Sequence, residues 1–178
     1  MAAIETFKAW AEGMRADVES LKGLVECASA DVPARKLAAG ALSYLVTKMD
    51  LVPDWNAGIG LLDDAMVLRV AAQLTQSHHC GELPTAVEVA LARLANEAEQ
   101  IGEFLGAPLF DKLRAHVAKL TDVEVRGRTP GVIVDDAAAR ERLWQELRDE
   151  LANQGPVALG EPADSELRLR AYLTHKLA

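Results

Sequence analysis

The stretch from residue 42 to residue 64 constrains the fold more than any other part of the chain. It reads Leu42-Ser43-Tyr44-Leu45-Val46-Thr47-Lys48-Met49-Asp50-Leu51-Val52-Pro53-Asp54-Trp55-Asn56-Ala57-Gly58-Ile59-Gly60-Leu61-Leu62-Asp63-Asp64. Two apolar runs of helical spacing meet at a turn in which four Asp, one Pro and two Gly fall within fifteen residues. Pro53 pushes Val52 out of helical geometry and cannot continue the hydrogen-bond ladder before it. Gly58 and Gly60 permit positive φ or close backbone packing. The runs on either side, 33–49 and 61–78, are apolar almost all round, which predicts two central helices that reverse direction at this turn.

The rest of the chain reads as helices packed around that hairpin. Ile4, Phe7, Ala11, Met14, Val18, Leu21 and Val25 alternate spacings of three and four, which predicts one long helix over 3–28. Such a seam suits an antiparallel bundle helix or, alternatively, a coiled-coil dimer. Asp31 before Pro33 has the form of an N-cap followed by a first-turn proline. Further apolar seams predict a helix over 85–106 and another from Phe110 to Leu120. Val123-Glu124-Val125 and Val132-Ile133-Val134 flank Arg126-Gly127-Arg128-Thr129-Pro130-Gly131, which could form a short β-hairpin over 123–134 or an extended linker. A helix from Asp135-Asp136 to about 153 and a last one capped by Asp164-Ser165 complete the pattern. The expected fold is all-α: a multi-helix bundle over 1–120 with a C-terminal helical extension, 121–178, packed on it.

Half the 178 residues are hydrophobic but only 4% are aromatic, a balance dominated by Ala and Leu that suits packed helices. The net charge of −8 argues against sequence-independent nucleic-acid binding, which needs clustered Lys and Arg, and against electrostatic docking on an anionic membrane. The longest stretches lacking Asp, Glu, Lys and Arg are 37–47 and 70–81. Both fall short of the ~20 apolar residues that span a bilayer. Two cysteines, Cys27 and Cys80, and an N-terminus with acidic and polar residues in place of an apolar signal core predict reduced thiols in the cytoplasm.

The four carboxylates admit two readings. Asp50, Asp54, Asp63 and Asp64 can accept the free amides of two helix ends, since Asp beside a helix break commonly caps it. They could instead gather around a hard divalent cation, Mg²⁺ or Ca²⁺, which wants several oxygen ligands. The spacing is not that of an EF-hand loop: counted from Asp54, the sixth position is Ile59 and the twelfth Ala65. Acid–base catalysis by Asp63 and Asp64 is disfavoured because adjacent helical residues point about 100° apart. No nucleophile elbow, phosphate-binding loop or dinucleotide fingerprint is present. Consecutive His78-His79-Cys80 do not converge on one ion from a regular helix. Arg126 and Arg128 could hold an anion.

The run Tyr44…Asp50-Leu51-Val52-Pro53-Asp54…Gly60-Leu61-Leu62-Asp63-Asp64 resembles the YkvA-like family, a helical domain of unknown function found mostly in bacteria. That family's pattern is a Tyr in an apolar helix, then Pro-x-Asp-Leu-x-Pro-Asp, then Pro-x-x-Gly-x-x-Asp-Asp. The resemblance covers about residues 35–75, with Lys48 and Ala57 standing where the family has prolines. It implies no agreed activity; because the family includes membrane-embedded members, it also implies peripheral membrane association as an alternative to a soluble protein. The function expected is a non-catalytic interaction or scaffold role with a protein partner. The competing reading is a metal-binding or metal-dependent protein using Asp50, Asp54, Asp63 and Asp64.

Overall fold

In the computed structural model, residues 2–47, 51–53, 55, 56 and 58–178 are described. Nine α-helices are found among them: α1 Ala3–Glu12, α2 Met14–Glu26, α3 Val32–Tyr44, α4 Leu62–Thr75, α5 Thr85–Leu105, α6 Ala107–Lys119, α7 Pro130–Asp135, α8 Ala137–Asn153 and α9 Pro162–Lys176. A 3₁₀ turn, Leu120–Asp122, follows α6. The all-α bundle read from the sequence is the fold observed.

The central hairpin is α3 and α4. α3 packs on α2, α4, α6 and α7, and α4 packs on α1, α2, α5 and α6. Every residue from Leu62 to Ala72 is buried, as is every residue from Ala38 to Tyr44. Helices with no polar face have nowhere else to go. One apolar cluster runs through the molecule from Ile4 on α1 to Leu173 on α9.

Several sequence expectations need correction. The predicted helix over 3–28 breaks at Gly13, which lies at φ −91° and ψ 5° between α1 and α2. Glycine is the residue that weakens a helix interior most after proline. The seam itself holds: Ile4, Phe7, Ala11, Met14, Val18, Leu21 and Val25 are all buried in the chain's own core. α3 ends at Tyr44, not near residue 49, with Val46 N–H donating to Ser43 O and Thr47 N–H to Tyr44 O. Those i→i+3 bonds tighten and close the helix where β-branched residues begin. α9 starts at Pro162, ahead of the expected Asp164-Ser165 cap.

The expected hairpin over 123–134 shrinks to a four-residue turn. Val125 and Arg128 exchange both backbone hydrogen bonds, at 2.9 and 3.1 Å, around Arg126 at φ 51° and Gly127 at φ 77°. Two positive φ angles in succession make the tight primed turn of a hairpin. No second strand continues it, because Thr129 accepts from Val132 N–H and Pro130 occupies the first helical position. That pairing starts a helix, and it turns Val132-Ile133-Val134 into the short α7.

Candidate functional site

The turn between α3 and α4 is held from inside by Tyr44. Its hydroxyl donates to Asp63 Oδ2 at 2.5 Å and accepts from Leu51 N–H at 2.6 Å. Val52 N–H donates to the same Asp63 oxygen at 3.2 Å. Tyr44 and Asp63 are buried. Burial, followed by the nearby charges of Asp63 and Asp64, pushes the Tyr44 phenol well above the ordinary tyrosine range. Tyr44 is therefore a fixed donor to a carboxylate. The sequence pointed to Asp63 as a helix-end acceptor; it gave no sign that its partner would be a phenol nineteen residues earlier.

Asp64 faces elsewhere. It lines a cleft of about 230 Å³ with Met14, Leu45, Leu61, Leu147, Glu150 and the residues 153–155 after them. The neighbouring acids thus diverge, as their helical spacing requires. Asp50 and Asp54 lie outside the described residues. Among the described residues, no group of three or more His, Cys, Asp or Glu is arranged to hold a metal ion.

Beyond Val52 the turn folds around Asn56. Asn56 N–H donates to Pro53 O, while Ile59 and Gly60 N–H donate to Asn56 O. The Asn56 side chain accepts from the Arg168 guanidinium on α9. Gly58 has φ +88°, and a Cβ there would lie 2.2 Å from Ala158 O. Only glycine lets the segment after α8 cross the turn this closely. Leu51, Val52 and Ile59 are buried, whereas Trp55 is 80% exposed.

A second constellation lies further along α4, and the sequence reading missed it. Arg69, 1% exposed, donates to Asp17 Oδ2 at 3.1 Å, Glu97 Oε2 at 2.7 Å and Ala65 O at 3.0 Å. Its guanidinium sits 4.2 Å from the Trp10 ring centroid. Arg93 bridges the same acids, reaching Asp17 Oδ1 at 2.7 Å and Glu97 Oε1 at 3.0 Å. Burial pulls Arg69 below its usual pKa against the opposing pull of Asp17 and Glu97. The signal was available: Arg69 is the lone charge in the apolar run 65–75. A buried guanidinium needs paired acids.

The remaining candidates are tied into structure. His79 N–H donates to Asp31 Oδ2, and Asp31 N–H donates to His79 O. Asp31 thus fastens the loop after α4 where a cap of α3 was expected. The Cys80 thiol donates to Thr75 O, and Cys27 donates to Glu82 O; both cysteines are free. Arg126 pairs with Glu146 and Glu150, and Arg128 pairs with Glu146, so carboxylates on α8 occupy both cations of the suggested anion site.

Comparison with protein families finds a match to the family described as a protein of unknown function, DUF1232, over residues 34–69. The matched segment is α3, the turn and the first half of α4. No curated protein and no solved structure matches the chain.

Proposed function

We propose that this chain is a non-catalytic interaction protein, YkvA-like in its central hairpin, that engages a protein partner through the turn between α3 and α4. The observation that carries the reading is Trp55. Its indole stands 80% exposed on a turn in which Leu51, Val52 and Ile59 are buried. Tryptophan is the residue most enriched among the anchors that dominate protein interfaces. In the same turn, Tyr44, Asp63 and two backbone amides are engaged with one another, which suits a clasp that presents a side chain. Among the described residues no helix is long and apolar enough to cross a membrane.

The test is a photoreactive amino acid at position 55, with Val89, 63% exposed on α5, as the control position. The full chain in its native host should give a discrete protein adduct from position 55 and none from 89, and Trp55→Ala should remove the interaction at unchanged melting temperature. No adduct at 55 overturns the reading. Blue-shifted Trp55 fluorescence on anionic vesicles, with co-flotation, replaces it with peripheral membrane association.

Asp64 favours a second reading, a divalent cation such as Mg²⁺ or Ca²⁺. It lines the same cleft as Glu150, Asn153 and Gln154, whose carboxylate and amide oxygens are of the kind hard cations take. A melting temperature raised by Mg²⁺ or Ca²⁺ and insensitive to them in Asp64→Asn supports it; an equal response in both proteins removes it.

A further inference from the structure

The segment after α2 and the loop after α4 are laced together, and each side contributes a cysteine. Asp31 N–H donates to His79 O at 2.8 Å, and His79 N–H donates to Asp31 Oδ2 at 3.1 Å. Glu82 N–H donates to Ser29 Oγ at 2.9 Å, and the Cys27 thiol donates to Glu82 O at 3.7 Å. Cys80 thus stands on a strip of backbone pinned to 27–31 on both sides of it. Gly81, one Cα step of about 3.8 Å from Cys80, lies directly against Cys27. A Cβ on Gly81 would stand 2.7 Å from Cys27 Sγ and 2.5 Å from Ala30 N, and its φ is +77°. Both cysteines are free, half-buried and outside the helices. Burial pushes the Cys80 thiol above its ordinary pKa; the bond to Thr75 O opposes this, while Asp31 and an ionised Cys27 add to it. The two sulfurs are therefore within electrostatic reach of each other.

We infer that Cys27 and Cys80 are a redox pair, which a small-molecule disulfide of the glutathione type converts to an intramolecular bridge. Ionised Cys27 attacks one sulfur of the oxidant, whose S–S bond breaks; one glutathione leaves as thiolate and takes up a proton. Cys80 then gives its proton to solvent, turns from Thr75 O and attacks Cys27 Sγ, releasing the second glutathione. Two protein thiols are oxidised and one glutathione disulfide is reduced to two thiols. Cys27 takes the first step because its contacts with Ser29 and Glu82 lie at the surface, whereas the Cys80 contact with Thr75 is half-buried. Ser29 Oγ accepts from Glu82 N–H and keeps its own proton to offer the Cys27 sulfur, 3.4 Å away. Irregular backbone on both sides lets the chain settle to the Cα separation of about 4.4–6.8 Å that a disulfide takes. The bridge closes a covalent ring around α3, the turn and α4, which contain the family-matched segment 34–69. It fastens that hairpin by restricting the unfolded chain. The pair is independent of the Trp55 surface, and the failure of either leaves the other standing.

The experiment places the reduced full chain, without denaturant, in glutathione buffers of increasing disulfide fraction and follows intact mass, non-reducing peptide maps and melting temperature. The expected product is a monomer lighter by two hydrogen atoms, with Cys27 and Cys80 in one cross-linked peptide pair, and excess reduced glutathione should reverse it. Its melting temperature should exceed that of the reduced protein by about 5 °C. Cys27→Ser and Cys80→Ser should each give no intramolecular bridge and no such rise. Unfolding urea should slow bridge formation, because the folded chain holds the two sulfurs at a high effective concentration. Five results overturn the inference: no reaction, a glutathione adduct that persists on either cysteine, a disulfide-linked dimer, a bridge that leaves the melting temperature unchanged, or a bridge that forms faster in urea.

Discussion

The Tyr44 hydroxyl and Asp63 Oδ2 lie 2.5 Å apart in the buried core, and two amides of the intervening turn, Leu51 N–H and Val52 N–H, are satisfied by the same two oxygens. A phenol on one central helix and a carboxylate on the next therefore close the loop between them. Removing the hydroxyl by Tyr44→Phe takes one of two donors from the buried Asp63 Oδ2 and the acceptor from Leu51 N–H. The expected loss is about 1–3 kcal/mol, more if the carboxylate stays charged. Urea unfolding should show a lower midpoint at unchanged slope, since the same surface is exposed. A midpoint equal to that of the unaltered protein would show that the turn is held by something else.

The same contact makes a pH prediction. Burial and the adjoining acids raise the Tyr44 pKa in the folded protein, while in the unfolded chain it sits near the ordinary value of about 10. A raised folded pKa contributes stability that is fully present below the unfolded value and is lost as pH climbs from there toward the folded one. Alkaline unfolding should therefore begin above about pH 10. In a Tyr172→Phe background, which leaves Tyr44 as the sole tyrosine, the ultraviolet phenolate band should rise together with the loss of helical dichroism. A phenolate signal that appears with the helices intact would contradict the buried hydrogen bond.

Arg69 offers a sharper contrast between buried and exposed charge. Arg69→Met removes the buried guanidinium from the cluster and leaves Asp17, 3% exposed, with only Arg93 against it. Breaking a buried ion pair from one side typically costs about 3–5 kcal/mol. Arg93→Ala, whose side chain is 46% exposed, should cost under about 1 kcal/mol. Adding Asp17→Leu to Arg69→Met should restore part of the loss, because an apolar replacement of the whole pair leaves no buried charge. Equilibrium unfolding of the three variants checks the order. Equal losses for Arg69→Met and Arg93→Ala would place both guanidiniums effectively in water.

How far these features were legible in the sequence depends on whether their cause is local. The two central helices and their reversal were readable, because an all-round apolar helix and an Asp/Pro/Gly turn are written in adjacent residues. So was the divergence of Asp63 and Asp64, which follows from helical geometry alone. The Tyr44–Asp63 contact spans nineteen residues and the Arg69–Asp17 contact fifty-two, and nothing in the spacing of either pair requires them to meet. The hairpin over 123–134 was misread for a local reason: β-branched Val132-Ile133-Val134 look like a strand, but Thr129-Pro130 immediately before them starts a helix. Ser43 and His116 line one pocket only because α3 packs on α6, which no local pattern in the sequence announces.

Gly58 carries the last prediction. The segment between α8 and α9 crosses the turn so closely that a methyl group on Gly58 would stand 2.2 Å from Ala158 O, and the backbone there has φ +88°. Gly58→Ala thus meets two penalties. A non-glycine residue at positive φ costs about 1–3 kcal/mol by itself. The steric overlap is relieved only if the crossing segment lifts, because the atom in the way is backbone. The contact between Arg168 and Asn56 on the same turn should weaken with it, and Val157, 5% exposed, should leave the core. Amide hydrogen exchange should therefore accelerate over 155–161 while α3 and α4, fastened by Tyr44 and Asp63, keep their protection. Faster exchange in α4 instead would mean that the crossing segment, and not the buried clasp, holds the central hairpin closed.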